Sequence, residues 1–128
     1  MAVRIVQLGS RRSSGEGTRL GTVRRPPRGV RKSRYARDDW FDVWLPMLAP
    51  SAALMRKSRI REDGTGWAAF ARRYTSELKR PDQSRLLDAL AALSHHANFS
   101  IGCYCDDETR CHRSILRQAL RDRRAAIG

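Results

Sequence analysis

Two strands are predicted in the first third of the chain. Val3 and Ile5 occur at the two-residue spacing of a strand, and Leu20 and Val23 mark a second, weaker one. The residues between them, 10–17, are rich in serine, glycine and arginine, which is typical of a loop. The first third is therefore predicted to run from strand to basic loop to strand.

A third apolar stretch, residues 98–104, is predicted to form a buried strand. Gly102 within it would permit close packing of a neighbouring segment. The residues expected to share one face of this strand are Phe99, Ile101 and Cys103.

In the middle and at the end of the chain, apolar residues recur at helical spacing. The predicted helix starts are Asp38 or Asp39, Thr65, Pro81 and about Thr109, with a short segment opening at Pro50. Pro46 should end or kink the first helix. The residues assigned to the core are Trp40, Phe41, Trp44, Leu45 and Leu48 in the first helix, Trp67, Phe70, Tyr74 and Leu78 in the second, Leu86, Leu87, Leu90 and Leu93 in the third, and Ile115, Leu116, Ala119 and Leu120 in the last.

Strands near both ends with helices between them predict an α/β layered fold with a largely parallel sheet. The length of 128 residues fits a single domain over residues 1–128. No window approaches the roughly 18–20 apolar residues of a membrane span. Residues 1–7 lack a basic segment followed by a long apolar run, so we expect no secretory signal and a cytoplasmic location.

The charge of the chain is strongly positive and unevenly distributed. Lysine and arginine number 26 against 13 acidic residues, and 23 of the 26 are arginine. Residues 1–37 carry a net charge of +10, whereas the remaining residues carry only +3. A dense run of cations, residues 24–32, surrounds two prolines and Gly29. This distribution predicts a polyanionic or phosphorylated partner, either a small molecule or a nucleic acid.

All three cysteines lie within nine residues, at the predicted junction of the last strand and the last helix. Cys103, Cys105, Cys111 and His112 could form a zinc site, although a Cys-x-Cys pair is tighter than the usual spacing and Cys111 adjoins His112. A thiol nucleophile with a pKa lowered by the helix N-terminus is a second interpretation. A disulfide or redox switch is a third, and a purely structural role is the fourth.

Several motifs together resemble the family known as domain of unknown function 488 (DUF488). The string Cys103…Cys111-His112-Arg113 resembles its C-x-E-x5-C-H-R signature. The other matching pieces, over roughly residues 4–120, are Gly17-x-Arg19, Arg24-x-x-Pro27-Arg28-Gly29, Asp38-Asp39-Trp40, Pro50-Ser51-x-x-Leu54 and Phe70-x-x-x-Tyr74-x-x-x-Leu78.

The resemblance implies a small bacterial cytoplasmic α/β protein of broadly Rossmann-like fold, without an established reaction. Three positions depart from the pattern of the family. Val23 stands where the pattern has an acid, Pro26 where it has tryptophan, and Cys105 where it has a carboxylate. The loss of two acids makes the expected site more positive.

Residues and resemblance together predict an arginine-rich anion pocket at the carboxyl ends of the strands. Its expected ligands are phosphorylated small molecules, nucleotides or nucleic acid. The arginines expected to face the 103–113 loop are Arg4, Arg19, Arg24, Arg28 and Arg113. If the protein is an enzyme, Cys103, Cys111 and His112 are the candidate catalytic residues. The alternative is a thiol- or metal-dependent enzyme or a redox sensor that uses Cys103, Cys105 and Cys111. No cofactor is predicted apart from zinc in that alternative.

Overall fold

The computed structural model describes residues 1–58, 60–61 and 63–128. In this part of the chain the strands are β1 (Val3–Gln7), β2 (Thr18–Gly21), β3 (Val43–Trp44) and β4 (Phe99–Cys103). The α-helices are α1 (Ala52–Lys57), α2 (Trp67–Leu78), α3 (Pro81–Leu93) and α4 (His112–Asp122). Short 3-10 helices span Lys32–Arg34, Pro46–Leu48 and Glu108–Arg110.

The four strands form one parallel sheet in the order β1-β4-β2-β3. Strand β4 lies between β1 and β2, so Ile101 is in register with Ile5 on one side and Leu20 on the other. The chain reaches β4 from β3 by way of α1, α2 and α3. This arrangement confirms the predicted α/β layered fold with its parallel sheet.

One face of the sheet is covered by the helices. Val3 and Phe99 are paired in register, as are Leu20 and Ile101, so these apolar side chains share a face. They pack with buried residues from all four helices, namely Leu54 of α1, Phe70, Tyr74 and Leu78 of α2, Leu87, Leu90 and Ala91 of α3, and Leu116 and Leu120 of α4. The helical spacing of the later segments predicted most of these core residues. Leu93, which was also assigned to the core, is wrong: it is the last residue of α3 and is 46% exposed.

The alternate residues of β2 and β4 are small or polar, and loops pack against them. A Cβ atom at Gly102 would lie 2.6 Å from the carbonyl oxygen of Val6, so only glycine fits this position. Arg19 and Ser100 are both fully buried. Glu16, on the loop after β1, accepts hydrogen bonds from both side chains. The close packing predicted at Gly102 is thus present.

The prediction of a helix beginning at Asp38 or Asp39 is wrong. Asp39 has a φ of 64°, which is incompatible with a continuing right-handed helix. Val43 and Trp44 instead form the edge strand β3 beside β2, and Pro46 begins a single 3-10 turn. The aromatic residues of this segment pack on several different surfaces. Their spacing in the sequence nevertheless matches that of one face of a helix, which explains the wrong prediction.

Two other helix starts also differ from prediction. Helix α2 follows Gly66, which has a φ of 92°, and Thr65 does not cap it. The last helix begins at His112, after the 3-10 turn Glu108–Arg110. Pro81 begins α3 as predicted. No helix in the described ranges has the length and apolar character needed to cross a bilayer.

Candidate functional site

A pocket of about 460 Å³ lies at the carboxyl ends of the two central strands. Its walls come from the loop after β2, from Cys103 at the end of β4 with the loop that follows, from α1, and from the first residue of α4. Gly21 and Gly102 are in register, so β2 and β4 run level as they approach this edge. Ligand sites of parallel α/β sheets commonly occupy this position.

The loop after β2 is held in place by side chains from three other segments. Each donates a hydrogen bond to a backbone carbonyl of residues 22–25. These residues follow the end of β2, where the hydrogen bonds of the sheet no longer pair the carbonyl groups. The pairs are His112 Nε2 to Thr22 (2.6 Å), Trp44 Nε1 to Val23 (2.7 Å) and Tyr104 Oη to Arg25 (2.8 Å). The pocket wall is therefore pre-organised.

Three arginines line the pocket, and no carboxylate is among its described lining residues. Arg24 and Arg25 come from the loop after β2, and Arg56 comes from α1. Arg24 is half-buried and donates to the carbonyl oxygens of Pro50 (3.1 Å) and Ala49 (3.3 Å). These two bonds fix the position of the guanidinium group. Because the group has five N–H donors, the others remain available to a ligand.

The remaining wall of the pocket is largely apolar. Val23 and Pro50 lie on one side, Ala52 and Met55 of α1 on another, and the ring of Tyr104 closes the edge. The Tyr104 ring is itself positioned by an edge-to-face contact with Trp40, at a centroid distance of 5.8 Å. A ligand that combined an anionic group with an apolar or aromatic body would match both parts of this lining.

The five arginines predicted for the site are not all in it. Arg24 lines the pocket, whereas Arg28 is exposed on the loop beyond it. Arg4 and Arg19 flank Ser100, three residues before the end of β4, instead of the strand ends. Arg113 is buried and donates to the carbonyl oxygen of Cys105 at 2.6 Å.

Arg19 has a structural role that corrects the sequence-based expectation. Its side chain is fully buried, and it pairs with Glu16 through two hydrogen bonds of 2.7 and 3.0 Å. Its remaining nitrogen donates to the carbonyl oxygens of Ser10 and Asp39. Burial opposes ionisation of Glu16, but hydrogen bonds from Arg19 and Ser100 lower the pKa of this carboxyl to about 2.

The cysteine cluster divides into a buried pair and an exposed thiol. Cys103 and Cys111 are buried, and their sulfur atoms lie within bonding distance of each other. Cys105 is exposed on the loop between them. Partial loss of water around the sulfur and the nearby Asp106 raise the pKa of the Cys105 thiol. This shift is opposite to the one that activates a nucleophilic cysteine.

His112 connects the cysteine pair to the pocket. Its Nε2 donates to the Thr22 carbonyl, and its Nδ1 lies 4.0 Å from the sulfur of Cys111. Burial and the charge of Arg113 lower the pKa of His112 to about 4, so the ring is neutral at physiological pH. Among the described residues, Cys103, Cys111 and His112 form the group that could hold a metal ion.

Sequence reasoning missed two of the three arginines among the described lining residues of the pocket. Arg25 belonged to the predicted basic run but was not singled out from its neighbours. Arg56 was not considered, because nothing in its local sequence shows that α1 lies against the loop after β2. The sequence did contain a signal for the start of α1. Ser51 caps this helix by accepting a hydrogen bond from the Leu54 N–H, and the cap fixes the direction of the helix that carries Arg56.

The comparisons with known proteins identify a family. No curated protein and no solved structure matches the chain. Residues 3–124 match the family DUF488-N3a, which is described as the active DUF488-N3 subclade. The match spans the sheet, the pocket and the cysteine cluster, in agreement with the ordered motifs. The chain therefore belongs to the DUF488 family.

Proposed function

We propose that the pocket binds a phosphorylated small molecule, with a nucleotide as the best-matched class. The observation that carries this proposal is the convergence of Arg24, Arg25 and Arg56 on one cavity without a lining carboxylate in the described chain. Guanidinium groups pair with phosphate through charge-assisted hydrogen bonds. The pocket also adjoins the first turn of α4, where the helix dipole favours an anion.

The size and polarity of the cavity support a ligand larger than inorganic phosphate. A volume of about 460 Å³ lies within the usual range of small-molecule sites. The apolar surface of Met55, Ala52 and Val23 gives a base or similar body a surface to pack against. Phosphate contacts and apolar contacts would therefore both contribute to affinity.

Calorimetric titration with adenosine 5′-monophosphate, adenosine and inorganic phosphate tests this proposal. We expect the nucleotide to bind more tightly than either fragment. The variants Arg24→Gln and Arg56→Gln should each weaken nucleotide binding about tenfold or more, because a hydrogen bond to a charged group contributes roughly 1.5–3 kcal/mol. Arg85→Gln is the matched control, since Arg85 is 85% exposed on α3, away from the pocket.

Two results would contradict the proposal. Adenosine binding as tightly as the nucleotide would show that the arginines do not recognise phosphate. Equal effects of Arg85→Gln and Arg56→Gln would show that the anion binds to the general positive charge of the surface. Circular dichroism of each variant confirms that the fold is retained.

A second candidate function is binding of nucleic acid, which the exposed basic segment favours. This segment, residues 25–37, starts at the pocket edge with Arg25, and its exposed cations are Arg25, Arg28, Arg31, Lys32, Arg34 and Arg37. Arg34 is paired with Asp38. In this case a nucleotide in the pocket would be one unit of a longer strand.

Salt dependence distinguishes the two candidates. A single-stranded oligonucleotide contacting several of these cations should lose affinity steeply with salt, by a log–log slope of about −0.7 per neutralised phosphate. Substituting Arg28, Arg31 and Arg37 together should reduce that slope. If the oligonucleotide binds no more tightly than the mononucleotide and the triple variant is unchanged, nucleic-acid binding is excluded.

A further inference from the structure

The buried pair Cys103 and Cys111 and the ring of His112 form a compact set of metal ligands. The two sulfur atoms and a ring nitrogen all lie within 4.8 Å of one another. The three residues come from the end of β4 and the start of α4, which pack together at the edge of the core. Two thiolates and one imidazole are the ligand types that zinc-class ions prefer.

The hydrogen bond of His112 selects the tautomer that a metal requires. Its Nε2 donates to the carbonyl oxygen of Thr22 at 2.6 Å, so Nδ1 of the neutral ring carries a lone pair. That Nδ1 lies on the side of the Cys111 sulfur, 4.0 Å away. Metal-bound histidines characteristically donate their second N–H to a backbone carbonyl or carboxylate in this way.

The backbone spacing of the two cysteines suits a shared ion better than a direct bridge. Their Cα atoms are 7.7 Å apart. Disulfides usually join Cα atoms separated by about 4.4–6.8 Å. In the reduced chain, rotation of the two side chains would separate the sulfur atoms and admit an ion at about 2.3 Å from each, which suits the longer Cα separation.

The compact set lies against the wall of the pocket. Cys103 and His112 both line the pocket, whereas Cys111 lies in the core behind them. Cys105 also lines the pocket, but its sulfur is not part of the compact set. Sites with three protein ligands and one open position are typical of catalytic zinc, while closed four-ligand sites are structural.

We propose that Cys103, Cys111 and His112 bind one zinc-class divalent ion whose fourth position opens into the pocket. Binding requires the reduced cysteines, and the two thiol protons are released to solvent as the two sulfur–metal bonds form. The ion would offer a ligand oxygen or water a binding position beside Arg24. This site is independent of the phosphate proposal, because the ion binds without any organic ligand.

Metal analysis of the chain purified under reducing conditions without chelator tests the site. We expect about one equivalent of zinc per chain. After replacement by Co²⁺, we expect the visible bands of a tetrahedral site and thiolate-to-cobalt charge-transfer absorption. Added azide should shift the visible bands, because the fourth position is open.

Single substitutions then identify the ligands. Cys103→Ser and Cys111→Ser should each lose the metal and the charge-transfer absorption, and His112→Asn should weaken metal binding at least tenfold. Cys105→Ser is the matched control and should retain one equivalent. Because the buried variants could fail to fold, the Co²⁺ spectrum of the unsubstituted chain is an independent readout.

Three outcomes would overturn the proposal. The first is a reduced chain that takes up neither Zn²⁺ nor Co²⁺. The second is a Cys103–Cys111 disulfide that persists in the reducing preparation and leaves a single titratable thiol. The third is loss of metal in Cys105→Ser with no response to azide, which would show a closed four-ligand site instead of an open one. A negative result here leaves nucleotide binding by the arginines unaffected.

Discussion

Substitution of Glu16 by glutamine should strongly destabilise the protein. Glu16 is 2% exposed and forms an ion pair with the fully buried side chain of Arg19. Glutamine keeps the size of the side chain but removes its charge, which leaves the guanidinium buried without its ion-pair partner. Breaking one partner of a buried pair costs about 3–5 kcal/mol.

The pKa of Glu16 gives a second, independent magnitude. Its lowering from 4.5 to about 2 corresponds to roughly 3 kcal/mol of differential stabilisation of the charged form. The two values overlap near 3 kcal/mol. For a chain of this length, that loss should lower the melting temperature by roughly 10 °C.

Chemical denaturation monitored by tryptophan fluorescence measures the effect. Asp38→Asn is the matched control, since it breaks the exposed Arg34–Asp38 pair, and surface ion pairs of this kind contribute little to stability. A double variant with Arg19→Met should lose less stability than the sum of the two single variants, because no unpaired charge remains. If Glu16→Gln costs no more than Asp38→Asn, the assignment of Arg19 as a buried structural residue is refuted.

Three further predictions follow from individual contacts. Because the folded-state pKa of Glu16 is lowered, its contribution to stability is present above about pH 4.5 and is lost as the pH falls towards 2, and acid denaturation curves of Glu16→Gln should lack this component. Gly102→Ala should destabilise the fold by about 2 kcal/mol or more, measured by thermal melting, because its Cβ would lie 2.6 Å from a backbone oxygen; an unchanged melting temperature would contradict the packing of β1 on β4. Tyr104→Phe should cost about 1 kcal/mol in denaturation and weaken nucleotide binding in calorimetry, because it frees the Arg25 carbonyl, whereas unaltered binding would show that this bond does not position the loop.

The elements best predicted from sequence were those with strong local periodicity. Helices α2, α3 and α4 each bury residues at helical spacing, and β4 is buried along its whole length. In these elements the local pattern and the tertiary environment agree, so the pattern alone was sufficient. The parallel sheet followed from the order of strands and helices.

The segment from Asp38 to Leu48 was mispredicted because its side chains make contacts with different parts of the structure. Phe41 packs on Gly21, where a Cβ atom would lie 2.4 Å from its ring. Trp44 donates its indole N–H to the loop after β2. These residues are placed by separate tertiary contacts and do not share one helical face. The spacing of apolar residues along the chain cannot predict such contacts.

The composition of the pocket was only partly predictable for a similar reason. The charge distribution identified the first third of the chain as basic. However, arginines in similar sequence contexts occupy different environments in the structure. Arg19 is neutralised by Glu16, three residues before it, whereas Arg24 is held at the pocket by backbone carbonyls from the segment before α1.

Mapping the nucleotide onto the chain by NMR tests the central claim most directly. Adenosine 5′-monophosphate would be titrated into uniformly ¹⁵N-labelled protein and the amide shifts followed. We predict that the largest changes fall in residues 22–25, 52–56 and 103–112, which surround the pocket. Changes concentrated instead in residues 28–37, or spread over α2 and α3, would show that the phosphate binds elsewhere and would contradict the proposed function.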